Sequence, residues 1–104
     1  MKLNLGAGPN WECEGWSILD HKIKKNTKNR IAGDLNDIKI KKNICETIFI
    51  SHTLEHIPHI QIQKVLTEIN RVMKIGATLR ILSGKPSFPD TGIALPLSLA
   101  IEFI

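Results

Sequence analysis

The sequence predicts an α/β domain, a mostly parallel sheet with flanking helices. Two observations carry that expectation. Short apolar, β-branched runs alternate with a strongly helical stretch. Each run also ends in a glycine, aspartate or serine–histidine cluster. Open parallel sheets bind their ligands at such carboxyl ends. At 104 residues the chain is read as a single domain, 1–104.

Residues 2–5 (KLNL) read as a first strand, closed by Gly6-Ala7-Gly8-Pro9. Residues 16–19 (WSIL) form a second apolar run, closed by Asp20, and residues 30–32 a short third, closed by Gly33-Asp34. Residues 47–50 are a clearer β-branched strand, closed by Ser51-His52. Ile62, Leu66, Ile69 and Met73 recur at spacings of four, three and four, with Val65 and Val72 beside them, so they share one face of a helix. Pro58 suits its first turn. Arg71 and Lys74 lie near the negative end of its dipole, and Gly76 is the expected left-handed cap. Residues 78–82 form the next strand, closed by Ser83-Gly84. Strand, helix and strand over 47–82 make a βαβ unit with parallel strands. The connection from Gly8 to Trp16 is shorter than the dozen or so residues a crossover helix needs, so any helix there is abbreviated.

The composition, 42% hydrophobic and 23% charged, is that of a chain with a core rather than a disordered one. The net charge is +4, and the lysines crowd between residues 22 and 42 with little aromatic interleaving. That pattern reads as a solvated basic face rather than a nucleic-acid surface, with RNA the lesser alternative. Cys13 and Cys45 have neither CxxC nor metal-ligand spacing, which suggests a reduced, cytoplasmic chain. A signal peptide's basic start and long apolar stretch are missing. No apolar run reaches the ~20 residues that span a bilayer. The greasy stretch 93–104 is short and interrupted by Pro96 and Glu102, so no membrane partner is expected.

Several residues could carry chemistry. Gly6-Ala7-Gly8 after a strand allows a tight turn and close approach to a ligand. Trp11 stands where GxGxxG has its third glycine, so a plain turn is the competing reading. Asp20, acceptor-only when ionised, can take both hydroxyls of a ribose or simply serve a turn. Asp34 has the same two readings. His52, Glu55 and His56 form HxxEH, a spacing also found in zinc proteases. That chemistry needs both histidines on one helical face and a third ligand, for which Glu68 and Glu102 are the downstream acids. Pro58 follows His56 by two residues, and no metal site is expected. His59 reads as a solvated helix start.

Taken in order, LNLGAG (3–8), GWSILD (15–20), GDL (33–35), ETIFISHTLEHI (46–57) and VLTEINRVMKIGATLRI (65–81) resemble the small class I S-adenosylmethionine-dependent methyltransferases. Those carry patterns like LNLGCG, GWxNLD, DL, DxIxxSHxLEH and LxExxRVLKPGGxLRI, and the resemblance covers residues 2–81. It implies a Rossmann-like sheet that binds S-adenosylmethionine. Gly6, Ala7 and Gly8 would line the methionine and sulfonium end. Asp20 would hold the ribose hydroxyls, Asp34 and Leu35 would border the adenine, and Ser51 and His52 would face the cofactor. His52 and His56 are the candidates for a base, if the acceptor must lose a proton. The missing Walker lysine suits a sulfonium donor better than a nucleoside triphosphate.

The chain departs from the pattern at Glu46, where the family has Asp, and at Ile75 and Ala77 in the KPGG turn. Beyond Ser83 the resemblance fades, whereas the family continues through another helix and a strand hairpin. The expectation is therefore a truncated fold, incomplete at its C-terminal end. One sheet edge would be unpaired and open to self-association. The acceptor, a small molecule by association with sugar, lipid or metabolite pathways, is not readable. Two alternatives stand beside the enzyme: a non-catalytic cofactor-binding module completed by a partner, and a zinc hydrolase built on HxxEH.

Overall fold

Leu3 and Leu5 of the first strand lie next to Ile48 and Ile50 of the fourth, which lie next to Leu79 and Ile81 of the fifth. This contiguous apolar face organises the chain in a computed structural model that describes residues 1–51, 53–82 and 100–103. The strands are β1 (Lys2–Leu5), β2 (Trp16–Asp20), β3 (Arg30–Ala32), β4 (Cys45–Ser51), β5 (Met73–Leu82) and β6 (Ala100–Phe103). A 3-10 turn, Leu54–His56, and the helix α1, His59–Val72, lie between β4 and β5. All strand pairings are parallel, in the order β3-β2-β1-β4-β5-β6. The chain runs outward from β1 to β3, then crosses back to start again at β4 on the other side of β1. The β1–β4 boundary is thus the topological switch point, where an open α/β sheet binds ligands. The Rossmann-like expectation holds.

The helical periodicity holds as far as Val72, whereas Met73 and Lys74, expected on the helix, already belong to β5. Ile62, Val65, Leu66, Ile69 and Val72 are buried against the apolar face of the sheet. Among the described residues α1 is the one α-helix, so flanking helices reduce to a single one on a single face. Residues 8–15 connect β1 to β2 without a helix, as their small number requires. Trp11 of that connection meets Trp16 of β2 edge to face, ring centres 6.3 Å apart.

The end of α1 differs from expectation. The helix stops at Val72, and Gly76 does not cap it. The carbonyls of Arg71 and Val72 accept N–H bonds from Asn43 (3.0 Å) and Ile44 (2.9 Å), the residues entering β4. The Met73 N–H returns to the Ile69 carbonyl. The open carbonyls of the last turn are thus partly satisfied by a neighbouring strand, and no left-handed cap is called for. Gly76, at φ +81°, serves instead where the β4–β5 register slips between Cys45 and Thr47. Ile75 projects into solvent there, 91% exposed.

Beyond β5, where the resemblance fades, the sheet continues with β6, paired to β5 in register Thr78↔Ala100 to Ile81↔Phe103. The expected Ser83-Gly84 strand end lies outside the described residues, as do most of the apolar stretch 93–104 and its Pro96.

The crossover from β3 to β4 is docked on α1 by an ion pair. Glu68 Oε1 accepts the Ile38 N–H (2.9 Å), and Arg71 Nε donates to Glu68 Oε2 (2.6 Å). Arg71 also donates to the carbonyls of Ile38 (2.6 Å) and Ile40 (2.8 Å). The Arg71 hydrogen bond, reinforced by the Ile38 N–H, holds the Glu68 carboxyl below the usual carboxylate range, against the opposing effects of burial and the nearby Asp37 charge.

Two outcomes follow. Ile69→Ala, at a fully buried position, should lower unfolding free energy by about 2–5 kcal/mol in denaturant titration. The second concerns pH. A carboxyl whose pKa is lower folded than unfolded adds stability that is complete above its unfolded pKa and is lost as pH falls through the folded one. Wild type should therefore lose more stability than Glu68→Gln as pH falls below the ordinary glutamate range, measured as the difference between their stability–pH curves.

Candidate functional site

At the carboxyl end of β2, Asp20 is 5% exposed, yet it is a charged side chain and must be satisfied. Its Oδ2 accepts the Gly8 N–H (2.9 Å) and its Oδ1 the Lys22 N–H (2.8 Å). Its backbone carbonyl accepts the N–H groups of Ile23 (3.2 Å) and Gly33 (3.4 Å). One residue thus gathers the loops that leave β1, β2 and β3. His21 Nδ1 lies 3.7 Å from Oδ1 and is largely exposed, so it adds a weak, screened attraction at most.

The glycine loop is shaped by Gly6. Its N–H donates to the Leu19 carbonyl (2.8 Å), its φ is +70°, and a Cβ there would lie 2.7 Å from both Cγ2 and Oγ1 of Thr53. Conformation and space both demand glycine. Thr53 in turn donates to the Ser51 carbonyl (3.0 Å), with the Gly6 carbonyl 3.4 Å away. This hydroxyl holds the turn after β4 against the turn after β1, across the switch point.

Between these turns lies a cleft of about 490 Å³. Gly6, Gly8 and Asp20 line it from the first two strand ends, Leu35 from the crossover, and Thr53, His56 and Ile57 from the turn after β4. A smaller hollow of about 280 Å³ shares Leu35, His56 and Ile57 and adds Asp34. The larger volume is in the range of small-molecule and cofactor sites, roughly 300–1,000 Å³.

Of the residues expected at a site, Gly6, Gly8, Asp20, Leu35 and His56 come together here. Asp34 is exposed, lines only the smaller hollow, and bridges to Asp37. Ala7 and Ser51 stand at the right strand ends but do not line the cleft, and Ser51 takes part through its carbonyl. His52 lies outside the described residues. Thr53 and Ile57 were missed. Thr53 sits inside SHTLEH, where hydroxyl residues commonly bond nearby carbonyls, a signal that the histidines overshadowed. The zinc reading required a helix carrying His52 and His56 four apart. The chain instead makes the single 3-10 turn Leu54–His56, and Ile57 is already extended.

Gly6→Ala should destabilise the protein by about 1–2 kcal/mol from its left-handed backbone alone, and by more through the collision with Thr53. Thr53→Ala should recover part of that excess. A double-mutant cycle read by thermal unfolding should therefore show coupling, and simple additivity would contradict the close approach.

The chain matches the model of a family described as a methyltransferase domain over residues 11–81. No curated protein and no solved structure matches it. The matched stretch holds Asp20, Leu35, Thr53 and His56. The glycine loop precedes it and is joined to it by the Gly8–Asp20 hydrogen bond.

Proposed function

The chain belongs to the methyltransferase domain family, and on that premise we propose that its cleft binds S-adenosylmethionine and directs the methyl group to a small-molecule acceptor. The observation that carries this reading is Asp20, a buried carboxylate at a strand end, lining the cleft and already oriented by two backbone N–H groups.

The residues present suit that cofactor. Each carboxylate oxygen has two lone pairs, so Asp20 keeps acceptor capacity for ribose hydroxyls after binding Gly8 and Lys22. Gly6 and Gly8 keep side chains away from the loop facing the methionine end. Leu35 and Ile57, partly buried against the core, offer an apolar wall to a purine. The glycine loop has no Walker lysine for phosphates. When bound, S-adenosylmethionine supplies an electrophilic methyl group on a sulfonium.

The protein's own contribution is mainly positional. Asp20, the glycine loop and Thr53 form a hydrogen-bonded frame, and holding reactants in line at near-contact distance supplies much of the acceleration in such displacements. His56, exposed on the turn after β4, lines the cleft and is the described candidate to take a proton from an acceptor hydroxyl or amine.

Calorimetric titration with S-adenosylhomocysteine tests the reading. Wild type should bind, and Asp20→Ala should lose about 1–3 kcal/mol of affinity, the scale for leaving buried polar groups unpaired. A folded wild-type chain that takes up no S-adenosylhomocysteine overturns the assignment.

A further inference from the structure

Leu35 forms the wall of the cleft from a crossover with almost no regular structure of its own. Between β3 and β4 the described backbone makes one isolated bridge, Asp34↔Asp37, with the Asp37 N–H on the Asp34 carbonyl at 3.1 Å. Such a segment has much conformational entropy to lose, and something must hold it. Its apolar anchors, Ile38 at 2% exposure and the partly buried Ile40, point to the core. Its polar backbone groups go elsewhere. The Ile38 N–H is accepted by Glu68, and the carbonyls of Ile38 and Ile40 are both taken by Arg71. Arg71 reaches all of these because its planar guanidinium carries donors in several directions, and Glu68 orients it through Nε at 2.6 Å.

We propose that Glu68 and Arg71 are positioning residues for the cofactor: by gripping the backbone at Ile38 and Ile40 they set, through the Asp34–Asp37 bridge, where Leu35 stands in the cleft. This rests on the cleft being the cofactor site. Neither side chain lines that cleft, so the pair acts on the ligand only through the crossover. The grip is rigid because its hydrogen bonds are charge-assisted and converge on one short stretch of backbone. A lysine at position 71 keeps the charge but cannot bond two carbonyls and a carboxylate in the same fork. A glutamine at position 68 keeps an acceptor for the Ile38 N–H and gives up the charge that orients Arg71.

The test compares wild type, Arg71→Lys and Glu68→Gln by titration with S-adenosylhomocysteine and by amide hydrogen exchange with and without that ligand. Ile69→Ala serves as a control that is destabilised in the core, at a temperature where every variant is folded. Arg71→Lys should weaken binding roughly tenfold, as expected for losing hydrogen bonds to a charged group, and Glu68→Gln by less. Exchange should rise in residues 33–40 and ligand protection there should shrink, while α1 and the sheet keep their protection. Ile69→Ala should bind within twofold of wild type. Positioning is overturned if wild type binds and Arg71→Lys binds equally well, or if its exchange rises evenly across α1 and the sheet. If wild type itself fails to bind, the cofactor reading falls, and this proposal with it.

Discussion

The carboxylate of Asp20 is the constraint on which the cleft edge of this protein depends. A charge this deeply placed persists only if hydrogen-bond donors surround it. The donors here are backbone N–H groups of Gly8 and Lys22, so meeting the electrostatic demand also shapes two loops. The same residue's carbonyl receives Ile23 and Gly33. The loops that leave three parallel strands are thus tied to one point, and the cleft lies beside it.

The core and the cleft are separated along the strands. The buried layer of Leu3, Leu5, Ile48, Ile50, Leu79 and Ile81 against α1 provides the apolar burial that holds the fold. The carboxyl ends of the strands carry the turns. Their contacts with one another are few and polar: Thr53 across to the first turn, Asp20 to the glycine loop, Glu68 and Arg71 to the crossover. Each anchors backbone rather than side chain, so the loops are fixed in place while little of the cleft is filled.

The helix end shows the same economy. In this chain α1 passes into β5 with two of its terminal carbonyls bonded by Asn43 and Ile44, just ahead of β4. The left-handed glycine, freed from the cap, accommodates a slip in strand register. Local sequence offered a complete solution at Gly76, and the tertiary structure supplied another, because an incoming strand presents N–H groups where water would otherwise serve.

The sequence by itself determined the first five strands in outline, the apolar face of α1 as far as Val72, the parallel βαβ unit and the sheet edge beside which the cleft lies. Periodicity and strand-end residues are local properties, and each was legible over a few positions. Asp20, Gly6 and Gly8 were legible for the same reason, being a charge and two glycines immediately after apolar runs. Thr53 and the Glu68–Arg71 grip were not. Thr53 matters because it touches Gly6, 47 residues away, and Arg71 because it reaches Ile40, 31 residues away. The pairing of β6 with β5, the ending of α1 and the reach of the cleft to Ile57 were likewise decided only in three dimensions. Hydrogen bonds between distant segments leave no periodic trace in the chain. Their partners are often backbone groups, which every residue has and no sequence distinguishes.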